Sequence, residues 1–286
     1  MQLYPIQAGN FKLDGGAMFG VVPKSLWQRT NPADSSNMID LAARCLLVEN
    51  GDRLILIDNG MGDKQSEKFF SYYFLWGDHS LDKSLNNAGF HRDDITDVFL
   101  THLHFDHCGG SVQWNANKTG YEPAFKNARF WSNEDHWNWA TKPNKRERAS
   151  FLKENILPIE ESGQLSFIPL PDGDTLLNSE LGFDLFFANG HTDKQMVPMI
   201  KYKGKTICFM ADLLPTAGHV PLAYVMGYDT RPLLTLDEKE RFLNMAAEHN
   251  YYLFLEHDAI NEIITVKNTE KSVRIKDTFS CAEIFN

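Results

Sequence analysis

Residues 101–110 read Thr-His-Leu-His-Phe-Asp-His-Cys-Gly-Gly. His102, His104 and Asp106 stand two apart, and His107 adjoins Asp106, directly after the apolar run that begins at Asp97. An extended chain turns alternate side chains to the same side, so a strand exit with this spacing presents several donors to one small volume. Imidazole and carboxylate together suit zinc, with manganese, cobalt and iron as further options. With 10 His in the chain, such a cluster arises by chance only about 0.001 times.

Other donors fall where apolar runs end. The run 183–189 leads into Gly190-His191, 207–211 into Asp212, 252–256 into His257, and 54–57 into Asp58-Asn59-Gly60. Ligands delivered from several strand ends onto one sheet edge make a rigid site, as metal catalysis requires. A serine nucleophile is not indicated, because the chain has no Gly-x-Ser-x-Gly.

The elements that must hold these residues are mixed. Strand-like runs lie at 41–48, 53–57, 98–100, 128–131, 183–187, 196–202, 206–210 and 252–255. Helices are expected at 80–88, stopping at Gly89, at 145–157, ending before Pro158, and at 241–249 behind a capping box that opens at Thr235. A hairpin over 196–210, turning at Lys203-Gly204, excludes an all-parallel sheet. The reading is an α/β layered core with outer helices, a single domain over 1–286 with no linker or repeat.

Lys plus Arg is 28 and Asp plus Glu 38, a net charge of −10. That disfavours nucleic acid and anionic membranes as partners. The one basic cluster, 142–148 with Glu147 inside it, reads as a solvated helix face. Four scattered cysteines and no leader or apolar span point to a cytoplasmic protein.

The chain resembles the metallo-β-lactamase superfamily of hydrolases. The resemblance rests on Leu-Ile-Asp-Asn-Gly at 56–60, Thr-His-Leu-His-Phe-Asp-His at 101–107, Gly-His-Thr at 190–192, Ala-Asp at 211–212 and Glu-His-Asp at 256–258, all in the family's order. It implies an αββα four-layer sandwich with a dinuclear metal site between two mixed sheets. Residue by residue, it implies His102, His104 and His191 on one ion, Asp106, His107 and His257 on the other, and Asp212 bridging them. Asp58 takes the place of the family's carboxylate behind the ligand loop. The two ions, zinc first, would share a hydroxide that attacks the substrate, with Asp106 passing the proton to the leaving oxygen.

Within the superfamily the segment Ala8 to Gly16 and the 101–110 motif look most like the lactonase and methyl-parathion-hydrolase-like branch. The expected reaction is opening of an ester-type bond in a small molecule with an apolar portion, a lactone or a phosphotriester. The lactonases carry a Tyr three residues after the bridging Asp, where this chain has Pro215. His219, Tyr224 and Tyr228 are the alternative donors, set against a packed loop with no such role. The run Phe-Phe-Ser-Tyr-Tyr-Phe-Leu-Trp at 69–76 walls an apolar pocket with Met18 and Phe19, forms a homodimer interface, or packs in the core. Rival readings on the same fold are a mononuclear iron persulfide dioxygenase, which leaves His257 idle, and a glutathione-thioester hydrolase, which expects Pro-Gly where Asp193-Lys194 stands. A nuclease and a non-catalytic sensor fit the charge and the intact ligand set less well.

Overall fold

The computed structural model describes residues 1–286. The chain divides into two compact units, one of Met1–Asn10 and Ala43–Asp172, the other of Phe11–Ala42 and Gly173–Asn286.

The first unit holds the start of β1 (Gln2–Asp14), the end of β2 (Met38–Asn50), and β3 (Arg53–Ile57), β4 (Asp97–Phe99), β5 (Val112–Trp114), β6 (Tyr121–Pro123), β7 (Arg129–Ser132) and β8 (Leu165–Phe167). Six of them form a sheet in the order β1-β2-β3-β4-β7-β8, and β5 pairs with β6. β3, β4, β7 and β8 run parallel. Burial on both faces explains the apolar Val98 and Phe99 of β4, both fully enclosed, while Asp97 at its start is buried against Arg53 and Trp131. Leu56, Val98 and Phe130 pack with Ile156 and Ile159 of the helix Lys153–Glu161 in the core.

The second unit carries β9 (Thr175–Leu176), β10 (Asp184–Ala188), β11 (Gln195–Tyr202), β12 (Lys205–Phe209), β13 (Tyr252–Phe254), β14 (Ile263–Asn268) and β15 (Val273–Phe279). Their order is β15-β14-β13-β12-β11-β10-β9. The expected hairpin is present: Tyr202 pairs with Lys205, and Lys203 and Gly204 take φ of 46° and 75°, the left-handed pair that a two-residue hairpin turn requires. Phe242, Leu243 and Ala246 of the helix Pro232–His249 pack on Phe186, Leu253 and Ile264.

Three expectations are corrected. The helix expected at 145–157 begins at Lys153 and continues through Pro158 to Glu161. Ahead of it, Asn144 Oδ1 accepts from the N–H groups of Arg146 and Glu147, which winds 144–147 into a turn. The basic segment is therefore not a helix face, and Glu147 within it is 3% exposed. The helix expected after a capping box at Thr235 starts at Pro232 instead, where a missing N–H costs nothing. β1, β5, β6, β8, β9, β14 and β15 lie outside the strand-like runs read from the sequence. No helix is long and apolar enough to cross a membrane. The four cysteines are buried and not joined in disulfides.

Candidate metal centre

In the first unit, parallel pairing sets Ile57 against Phe99, so β3 and β4 leave the sheet side by side. Asp58 donates its N–H to Phe99 O at 2.9 Å. Its carboxylate accepts the N–H and the O–H of Thr101 at 2.8 and 2.7 Å and stands 3.0 Å from His107 Nδ1. Thr101 Oγ1 in turn lies 3.1 Å from His102 Nδ1. His102 Nε2 and His104 Nδ1 are 3.1 Å apart, a separation at which two imidazole lone pairs repel unless a proton or a cation sits between them. Asp106 lies in the same short turn of helix, Phe105–Cys108, and is 8% exposed. Phe69 and Tyr73 pack on Phe105. Burial, and then the Asp106 charge, push the Tyr73 hydroxyl up to about 12.

Gly109 and Gly110 let this loop approach its neighbour. A Cβ on Gly109 would lie 2.1 Å from Met61 O, and one on Gly110 would lie 2.4 Å from Asn59 O. Lys64 Nζ donates to Gly109 O at 2.5 Å, and burial lowers its pKa to about 8.

In the second unit β12 and β13 are parallel, with Phe209 against Phe254, and β10 runs antiparallel to β11, which runs antiparallel to β12. The three C-terminal ends therefore share one sheet edge, and from them issue His191, Asp212 and His257. Asp212 stands between two imidazoles: Oδ2 is 3.1 Å from His191 Nε2 and Oδ1 is 3.2 Å from His257 Nε2. Ala211 ahead of it has φ of 42°, a left-handed conformation that costs an L-residue about 1–2 kcal/mol. His191 Nδ1 lies 2.8 Å from Asp229 Oδ1. Burial alone lowers the His191 pKa, but Asp212 and Asp229 overcome it and raise it to about 10. His257 Nδ1 donates to Ala42 O at 2.8 Å.

This donor chemistry fits divalent metal ions. In His102, His107, His191 and His257 one ring nitrogen is engaged by Thr101, Asp58, Asp229 or Ala42, which fixes the ring and turns the other nitrogen toward a possible ion. The seven residues are at most 8% exposed.

The residues singled out as substrate contacts, His219, Tyr224, Tyr228, Met18 and Phe19, lie in the second unit. His219 has Nδ1 2.8 Å from Thr216 Oγ1 and Nε2 2.8 Å from Met18 O. The carbonyl can only accept, so Nε2 carries the proton and burial holds the pKa down to about 3. Phe19 is stacked between Trp27 and His219, and Met18 and Phe19 are 1% and 0% exposed. Tyr224 is half-buried, while Tyr228 is exposed. The aromatic run divides: Phe69 and Tyr73 face Phe105, whereas Tyr72, Phe74 and Trp76 are exposed.

Sequence reasoning missed several positioning residues. Glu238 accepts from the N–H groups of Asn189 and Gly190 at 2.9 Å, clamping the approach to His191. Lys239 donates to the carbonyls of His219, Pro221 and Tyr224. Asp229 had no signal, since an Asp in a long segment is ordinary. Glu238 was seen, but as part of a helix cap rather than as an acceptor for a distant loop.

The profile of the metallo-β-lactamase superfamily matches residues 39–257. An N-acyl homoserine lactonase from Bacillus cereus is 24% identical over 276 residues, which are 91% of this chain and 94% of that protein. The N-acyl homoserine lactonase of Bacillus thuringiensis is 25% identical over 144 residues, 45% of this chain, and this match spans about half, 53%, of that relative's length. Among solved structures, a probable metal-dependent hydrolase from Staphylococcus aureus superposes with a TM-score of 0.81 at 26% identity, covering 97% of this chain and 98% of the other. AidC, a dizinc quorum-quenching lactonase in complex with a product, shares the fold with a TM-score of 0.76 at 22% identity, covering 97% of this chain and 95% of its own. With the matched profile spanning most of the chain and all seven candidate ligands within it, this protein belongs to the metallo-β-lactamase superfamily and has its αββα fold.

Proposed function

We propose that the protein is a metal-dependent hydrolase of the lactonase type, opening ester-type bonds, lactones before phosphotriesters. His102, His104 and His191 would hold one ion in this reading, Asp106, His107 and His257 would hold a second, and Asp212 would serve both. The observation that carries it is the Asp212 carboxylate, whose two oxygens each face a different imidazole at 3.1 and 3.2 Å. A carboxylate so flanked would offer one oxygen to each of two ions. The mononuclear iron alternative gives His257 nothing to do, whereas its ring is fixed by Ala42 O and aimed at Asp212.

Bound divalent ions, zinc first, supply Lewis acidity toward a carbonyl or phosphoryl oxygen and lower the pKa of water toward neutrality. The chain supplies the rest. Asp106 takes the proton of the attacking water and delivers it to the leaving oxygen. Asp58 and Asp229 hold His107 and His191 in their ligating orientation. Tyr224 and Tyr228 meet the substrate on the segment after Asp212, with His219, Met18 and Phe19 as packed support behind them. The relatives named N-acyl homoserine lactonase support a lactone with an acyl chain as the first substrate to try.

Proton release by the metal-replete protein, followed on acyl-homoserine lactones of medium and long chain, simple lactones, an aryl ester, a glutathione thioester and an aryl phosphotriester, tests the reading. Lactone opening that Asp106→Asn loses is the expected result. Silence on every substrate, with one iron per chain, would favour the dioxygenase.

A further inference from the structure

Glu147 belongs to none of the family's motifs, yet its carboxylate is 3% exposed and Oε1 lies 3.5 Å from His104 Nε2. The other oxygen, Oε2, accepts from Trp139 Nε1 at 2.7 Å and from Asn144 Nδ2 at 2.5 Å. Burying a carboxylate costs several kcal/mol unless it is compensated, and two N–H donors on one oxygen compensate it while aiming the second oxygen at the histidine. The surrounding segment braces the same loop. Ser150 N–H donates to Glu147 O at 2.7 Å, and Phe105 N–H donates to Ser150 O at 2.9 Å. Phe151 packs against the His104 ring at 4.8 Å, and Leu103 N–H donates to His136 Nε2 at 2.9 Å. His104 differs from the other ring ligands in turning Nδ1, not Nε2, toward a neighbouring ligand, so its outer nitrogen is the one Glu147 faces.

We propose that Glu147 is a positioning residue for the metal centre: it holds the proton of His104 on Nε2, which leaves Nδ1 as the ligating nitrogen and fixes the ring plane. The inference rests on the metal-centre reading above. It makes residues 139–151, whose sequence looks like a basic surface stretch, part of the site's supporting shell. It also makes the glutamate hard to replace. Both oxygens act as acceptors, and an amide accepts at only one end, so glutamine would set an N–H against either His104 or the Trp139 and Asn144 donors.

Cobalt(II) titration of the metal-free protein, in competition with a chromophoric chelator and with the visible absorption recorded, tests this apart from activity. Glu147→Gln is expected to weaken cobalt binding about 10- to 100-fold and shift the absorption band. Trp139→Phe, which removes one donor to Oε2, is expected to weaken it less, in the same direction. In a His104→Ala background Glu147→Gln is expected to add no further loss, because residues acting through one another are not additive. Affinity within about twofold of wild type for Glu147→Gln, or an equal loss in both backgrounds, overturns the proposal. If Glu147→Gln does not fold, an unchanged Trp139→Phe overturns it. Loss with His104→Ala but none with Glu147→Gln rejects this inference alone, whereas wild-type binding by His104→Ala rejects the metal centre itself.

Discussion

His191 sits against two carboxylates, Asp212 at 3.1 Å and Asp229 at 2.8 Å, and in the metal-free protein its pKa is raised to about 10. The imidazolium therefore contributes stability that is fully present below its unfolded value near 6.5 and is lost as pH rises through about 10. A metal ion needs the neutral ring, so metal binding and this proton compete. Cobalt affinity should rise with pH between 7 and about 10, with proton uptake by buffer visible in calorimetry across buffers of different ionisation heat. A flat affinity over that range would remove the competition. Asp106→Asn should lower turnover about 100-fold or more if the carboxylate moves the proton; steady-state rates at saturating metal measure it, and a near-wild-type rate would take that role away. At this scale the sequence was most legible, because HxHxDH compresses four donors into six positions. Glu147 and Asp229 were not, since each reaches its histidine only through tertiary folding.

Strand exits place the donors, and two contacts fix how the exits meet the helix Pro232–His249. A Cβ on Gly190 would lie 2.2 Å from Thr235 Oγ1 and 2.3 Å from Thr235 N. Gly190→Ala should therefore push the helix from the His191 turn and cost about 1–3 kcal/mol, read as a lower thermal midpoint together with weaker metal binding. Lys239, three-fold bonded to the carbonyls of His219, Pro221 and Tyr224, has its pKa lowered by burial to about 8. Burial thus makes the native ammonium, the form that donates all three bonds, lose its proton more easily than the unfolded one, so this group makes stability rise as pH climbs from about 8 to its unfolded value of 10.5. Denaturant unfolding of wild type and Lys239→Met across that range should differ by that rise; parallel curves would contradict it. Strands with apolar runs and the Lys203-Gly204 turn were readable from local pattern alone. The turn at 144–147 and the true start of the long helix were missed, although Asn144, whose side chain caps the turn, and Pro232, at the first helical position, are the residues that set them.

As a whole, the chain is proposed to be one domain over 1–286, with β1 and β2 each contributing residues to both compact units. Unfolding is then expected as a single cooperative transition by calorimetry, and two resolved transitions would contradict that. Ions that bind only the native state add RT ln(1 + [L]/Kd), about 4 kcal/mol at a thousandfold excess over Kd, so chelation should lower the thermal midpoint by several degrees. In the proposed reaction two ions serve one hydrolytic site. That is tested most directly by adding zinc in measured equivalents to the metal-free protein while following hydrolysis of an acyl-homoserine lactone. The account predicts activity that climbs to a plateau at two equivalents per chain, and a plateau at one, or no hydrolysis at any loading, would contradict it.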